Sequence, residues 1–112
     1  MQFKTHDQTT VNVDGTFLQG HITCDYKTLT KVFGFPLQRG FDDYKTDAEW
    51  RVKFADGSVA TIYNWKNGHN YLGTAGTPVT KITDWNIGGR DKHTVDRVKS
   101  AIKEYQNAES IA

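Results

Sequence analysis

A chain of 112 residues, 37% apolar and 12% aromatic, is one domain able to bury roughly two thirds of its unfolded surface. Its formal net charge of +1 excludes both an acidic nucleic-acid mimic and a strongly basic nucleic-acid binder. No run reaches the ~18 apolar residues of a membrane span, and the opening MQFKTHDQTT lacks the apolar centre of a signal peptide. The single cysteine, Cys24, can close no internal disulfide and belongs to no C-x-x-C metal pair. The chain therefore reads as soluble and cytoplasmic, without a membrane partner.

In chain order, TTVNV and TFLQGHITC flank Asp14-Gly15, a two-residue hairpin signal. DYKTLTKVFG then predicts a short helix from about Tyr26 to Phe33. Asp25 is its N-cap, Tyr26, Leu29, Val32 and Phe33 lie at helical spacing, and Gly34 with Pro36 ends it. In AEWRVKFADGSVATIYNW, Trp50, Val52 and Phe54 alternate with Glu49, Arg51 and Lys53, the period of a half-buried strand, and Asp56-Gly57 makes the turn. A two-residue loop and a three-residue loop with a glycine bulge put different residues on the Trp50 face: Val59, Thr61 and Tyr63 in one case, Ala60, Ile62 and Asn64 in the other. A further strand is predicted over about Val79–Ile87, then Gly88-Gly89, then a helix from about Lys92 to Gln106 with Val95, Val98, Ile102 and Tyr105 as its apolar stripe. Residues 107–112 form a frayed tail. The whole predicts one α+β domain: an antiparallel sheet of about four to five strands covered by a short helix and a longer C-terminal one.

The positive excess of the second half lies between Arg90 and Lys103, beside the Gly88-Gly89 junction. The first N–H groups of a helix lack intrahelical partners and sit at the positive end of its dipole, so they suit a phosphate or carboxylate. On that reading Gly88 and Gly89 bare the backbone, Arg90, Lys92 and His93 add charge and donors, and Trp85 stacks on a base. The alternative is a plain turn with Asp91 or Thr94 as the cap, and neither G-x-G-x-x-G nor G-x-x-x-x-G-K-[ST] is present. The long connection Lys66–Pro78 offers Asn67, His69, Asn70 and Tyr71 as a flap over a ligand, as a partner-binding tip, or as a mobile loop. FPLQRGFDDYKTD carries Phe35, Leu37, Phe41 and Tyr44, either packed across the sheet or presented to a protein partner.

Catalysis has less behind it. His6, His21, His69 and His93 are scattered without metal-ligand spacing. His21-Ile22-Thr23 is one half of a twin H-x-T phosphoesterase signature whose other half is missing. Asp42, Asp43, Asp47 and Glu49 read as a solvated acidic loop, and Cys24 as a buried structural thiol. No cofactor or metal is expected.

Three stretches, DYKTLTKVFGFP, DAEWRVKFADGSVATIYNWKNGHNYLG and ITDWNIGGRDKHTVDRV, taken in that order, resemble a family of small bacteriophage-encoded proteins with an AEW…F.DG..ATIY hairpin and a W-x-I-G-G strand–helix junction. The resemblance covers about residues 25–100 and departs at PLQRGFDDYKTD, where the family has a more glycine-rich loop. It implies a phage source, the cytoplasm of an infected bacterium, and no particular chemistry. Three functions are weighed, two of them ahead of the third. One is a non-enzymatic binding protein that counters host defence by sequestering a small anionic, nucleotide-like ligand, with Trp85, Gly88, Gly89, Arg90, Lys92 and His93 as one wall and Asn67, His69 and Tyr71 in the lid. The other is a protein–protein inhibitor acting through Phe41, Tyr44 and Tyr71; a small hydrolase of a nucleotide signal is the third and weaker one. A homo-oligomer is compatible with each.

Overall fold

The computed structural model describes residues 2–111. Five strands, β1 (Phe3–Thr5), β2 (Phe17–Thr23), β3 (Glu49–Phe54), β4 (Val59–Tyr63) and β5 (Asp84–Gly89), form one antiparallel sheet in the order β1-β3-β4-β5-β2. Helices α1 (Tyr26–Phe33) and α3 (His93–Ile111) cover one face, and a single turn of helix, α2 (His69–Leu72), lies in the long connection after β4. The α+β architecture is the expected one.

Local signals placed α1 and the central hairpin. The Asp25 carboxylate accepts the Thr28 N–H at 2.7 Å, and Gly34, at φ 82°, closes the other end with its N–H on the Thr30 carbonyl. At the hairpin tip the Gly57 N–H donates to Phe54 O and the Phe54 N–H to Ser58 O, with Gly57 at φ 87°. This is the three-residue loop with a glycine bulge. Trp50 therefore pairs with Ile62 and Val52 with Ala60, which puts Ala60 and Ile62 on the core face.

Four expectations fail, the first two because a local bond competed with the ladder. Residues 9–13 form no strand: the Thr9 N–H bonds back to Thr5 O and the Asp14 N–H to the Asn12 side chain, so Asp14-Gly15 is a turn but not a hairpin. Val79–Lys81 is a 3₁₀ turn after Pro78, closed by Lys81 N–H to Pro78 O, and the strand starts at Asp84. Gly88 and Gly89 do not follow that strand; they are its last two residues, paired with Leu18 and Phe17. Residues 107–111 continue α3 and do not fray, and Ala112 lies outside the described residues.

The core is built on two rings. Trp50 and Trp85, each 0% exposed, meet edge to face at 5.3 Å between centroids. Around them pack Leu29 and Phe33 of α1, Val98, Ala101 and Ile102 of α3, and Val52, Phe54, Ile62 and Ile87 of the sheet. Trp50 Nε1 donates to Gly34 O at 2.7 Å and Trp85 Nε1 to Cys24 O at 2.8 Å. The two indoles thus hold the carbonyls at the two ends of α1, and no buried side-chain polar atom among the described residues is left unpaired. Trp50→Ala removes both ring and bond. It should cost about 3–5 kcal/mol in urea unfolding, as deletion of a large buried ring does, and an unchanged midpoint would refute this face assignment.

Candidate functional site

The strand–helix junction is where an anion site was expected, and several of its groups are engaged within the chain. The space a Gly89 side chain would need is filled by the Thr94 side chain, so the glycine lets the first turn of α3 rest on β5. Gly20 does the same for Val95, whose Cγ2 would lie 2.9 Å from a Cβ there. The His93 N–H donates to Asp91 Oδ1 at 2.8 Å, the Thr94 N–H and hydroxyl both bond to Asp91 O, and the Gly89 carbonyl accepts from Gln19 Nε2. The Arg90 guanidinium donates to Asn12 O and Asp14 O at 2.9–3.0 Å. It fastens the turn before β2 and does not face a ligand. Trp85 is wholly buried and cannot stack on one. Lys92 and His93 are exposed beside this capped turn. At this junction Thr94 and Asp91 answer the helix start from within the chain, and Gly88 and Gly89 serve close packing.

The sheet's other face, away from α1 and α3, is covered in part by connections, with Val59 and Thr61 of β4 buried on it. Thr61 of β4 and Gly88 of β5 lie opposite one another there, with the Thr61 hydroxyl in the space a Gly88 side chain would take. A groove of about 270 Å³ runs over them, lined by Tyr63, Trp65 and Arg51, by Phe17, Leu18 and Val13, and by the carboxylates of Asp42 and Glu49. Arg51 is fixed by Glu49 Oε2 at 2.8 Å and by the Gly40 carbonyl, which ties the 35–46 connection to this face. Burial pushes the Tyr63 phenol above its ordinary pKa, against the hydrogen bond with Asn86.

The groove's mouth is shaped by one buried amide. Asn64, 0% exposed, accepts the Asp47 and Ala48 N–H groups on Oδ1 and donates Nδ2 to Asp47 Oδ1 and Asn67 Oδ1. Asp47 Oδ2 in turn accepts the Asn70 N–H at the start of α2. Lys66 takes φ 60°, and its N–H bonds to Lys45 O. These bonds gather a cluster: Lys45 Nζ lies 5.3 Å and Lys66 Nζ 6.0 Å from the Trp65 ring, Lys66 is 5.4 Å from the Tyr71 ring, and Tyr71 packs on Tyr44. Neither lysine forms an ion pair with another described residue.

Of the expected lid residues, Tyr71 belongs to this cluster. Asn67 is spent on Asn64, and His69 Nδ1 is bonded to Gly73 O. The Lys66–Pro78 connection is an ordered turn of helix and a 3₁₀ turn, not a structureless loop. Tyr44 is 60% exposed and Phe41 half-buried. Asp42, Asp43, Asp47 and Glu49 do not converge, and no group of three or more His, Cys, Asp or Glu among the described residues could hold a metal ion. Trp65, Lys45 and Asn64 were missed. YNWKNG carried the signal, an aromatic and a lysine flanking an amide just after a strand, but nothing local shows that Asn64 points inward and Trp65 outward. The chain matches no protein-family model, no curated protein and no solved structure.

Gly89→Val should lower stability by about 1–3 kcal/mol, because its side chain collides with Thr94. A variant that melts like the parent would return the glycine to a ligand role. Cys24 provides a pH test. Burial, reinforced by the Asp25 charge, lifts its thiol to about 11. The raised value keeps the thiol protonated through neutral pH, so alkylation by iodoacetamide should stay slow in the folded protein until the pH nears 11, and should be fast at pH 9 in urea.

Proposed function

We propose that the protein is a non-enzymatic binder that sequesters a small anionic, nucleotide-like ligand on the face of its sheet away from α1 and α3. The observation that carries this is the Lys45–Trp65–Lys66 cluster at the mouth of the groove. A lysine held over a ring contributes only about 0.5–1 kcal/mol at an exposed site. Either ammonium can therefore turn to a phosphate and free the ring for a base. Thr61 and the Gly88 backbone supply the floor. The volume lies just below the ~300 Å³ at which enclosed small-molecule sites begin, so the charged end of the ligand stays at the lysine rim. Sequestration works by mass action and needs no turnover. The protonated Cys24 thiol fits a role without nucleophilic chemistry. With the resemblance to small phage proteins, the ligand is a nucleotide signal of host defence, met in the cytoplasm of the infected cell.

A second reading is favoured by one observation: Phe17 and Leu18, which also line the groove, are 72% and 53% exposed, and Tyr44 is 60% exposed. That is more apolar surface than a small anion uses, and it suits a protein partner anchored on aromatic side chains.

Trp65 is the one exposed tryptophan of three, since Trp50 and Trp85 are buried, so ligand at the cluster should quench the exposed component of the emission. Mono- and cyclic dinucleotides should quench it and raise the melting temperature. Lys45→Ala with Lys66→Ala should weaken binding by roughly tenfold or more and flatten its salt dependence. If no nucleotide changes either signal, sequestration fails as the function. Loss of a captured host protein on Phe17→Ala with Tyr44→Ala would then establish the second reading.

A further inference from the structure

We propose that the free edge of β2 accepts an extended acidic segment of a partner protein as an added strand, with Lys99 and Lys103 of α3 reading its carboxylates. β2 closes one side of the sheet. The Cys24 N–H donates to Thr83 O at 2.9 Å, in line with the register that pairs Thr23 with Asp84. In an antiparallel ladder this fixes the rest: Ile22 and Gly20 turn their N–H and C=O groups towards β5, and His21 and Thr23 turn theirs outward. Both residues are exposed.

Sheet edges are ordinarily blunted by lysine, proline or a bulge. FLQGHIT holds no charged residue and no proline. Its one irregularity, between Leu18 and Gly20, leaves Gly20–Thr23 as open ladder. Beside that ladder, on the helix side, runs a crevice of about 580 Å³ with Ile22 and Ile102 at its base and Thr23, Thr28, Lys99 and Lys103 on its walls.

Alternate side chains of an added strand would point into this crevice. Lys99 and Lys103 stand one helical turn apart on α3, both exposed and neither in an ion pair with another described residue. They favour carboxylates at every second position of the guest. Asp25, the acidic residue at the crevice's end, accepts the Thr28 N–H of its own helix. The same lysines oppose a second copy of this chain, because pairing two β2 edges would bring like charges to one seam.

The experiment measures anisotropy of a labelled peptide alternating Glu and Val against a Lys-Val peptide of the same length, with the full chain. The Glu-Val peptide should bind, more weakly as salt rises, and Lys99→Glu with Lys103→Glu should weaken it roughly tenfold, the effect of two exposed ion pairs. Two further peptides, N-methylated at odd or at even positions, test the ladder without altering the protein: one should bind like the parent and the other should not bind. The proposal is overturned if Glu-Val fails to bind or binds no better than Lys-Val, or if both methylated peptides bind alike. It is also overturned if sedimentation shows a dimer that the charge reversal tightens, which would make a second copy the occupant.

Discussion

Two indole N–H groups hold this domain in register. Trp50 and Trp85 come from different strands, cross edge to face in the centre of the core, and each donates to a carbonyl at one end of α1. A buried indole N–H without an acceptor is costly, about 1–3 kcal/mol for a neutral donor, so both rings are satisfied only when α1 lies across the sheet with Cys24 and Gly34 at the right separation. The eight residues of α1 are too few to be stable alone. The same bonds that satisfy the tryptophans therefore keep that helix in place between β2 and β3.

The second constraint is how near α3 comes to the sheet. Gly20 and Gly89 lie on neighbouring strands, and each gives up the volume that a residue of the first turn of α3 occupies, Val95 over one and Thr94 over the other. Seated there, α3 extends back over β2, β5 and β4 and buries Val98, Ala101 and Ile102. Arg97, on its flank, reaches Asp56 at the hairpin tip at 3.2 Å, so the helix also ties down the far turn. Charge in this region is used for assembly. Arg90 spends its donors on two main-chain carbonyls, and Asp91 spends its acceptor on the helix start.

Helices on one side leave the other side of the sheet to whatever the connections supply. Arg51 and Asn64 each pin a connection to it, one through Gly40 and the other through Asp47 and Asn67. The result is a groove with aromatic rings and two lysines gathered near one end, and with Asp42 and Glu49 also in its lining. Phe17 and Leu18, which line the groove, belong to the same strand as the open ladder of Gly20–Thr23, on the other side of its irregularity.

Features set within a few residues were legible in the sequence. The caps of α1, the Asp56-Gly57 tip, the alternation of Trp50, Val52 and Phe54, and the stripe of α3 each depend on side chains near one another along the chain, so residue type and spacing specify them. What depended on distant partners was not. The choice between two registers at the hairpin was made by which face of β4 could be buried, a matter of packing. Residues 9–13 look like a strand, but local bonds at Thr9 and Asp14 turn the chain aside, and Arg90, distant in sequence, fastens the Asn12 and Asp14 carbonyls. Gly88-Gly89 looks like an exposed turn until Thr94 and Thr61 are found in the space the glycines leave. Nothing in YNWKNG says which of its side chains turns inward. Local sequence determined most of the elements here; three-dimensional packing decided which polar groups were spent on holding them together and which were left at the surface.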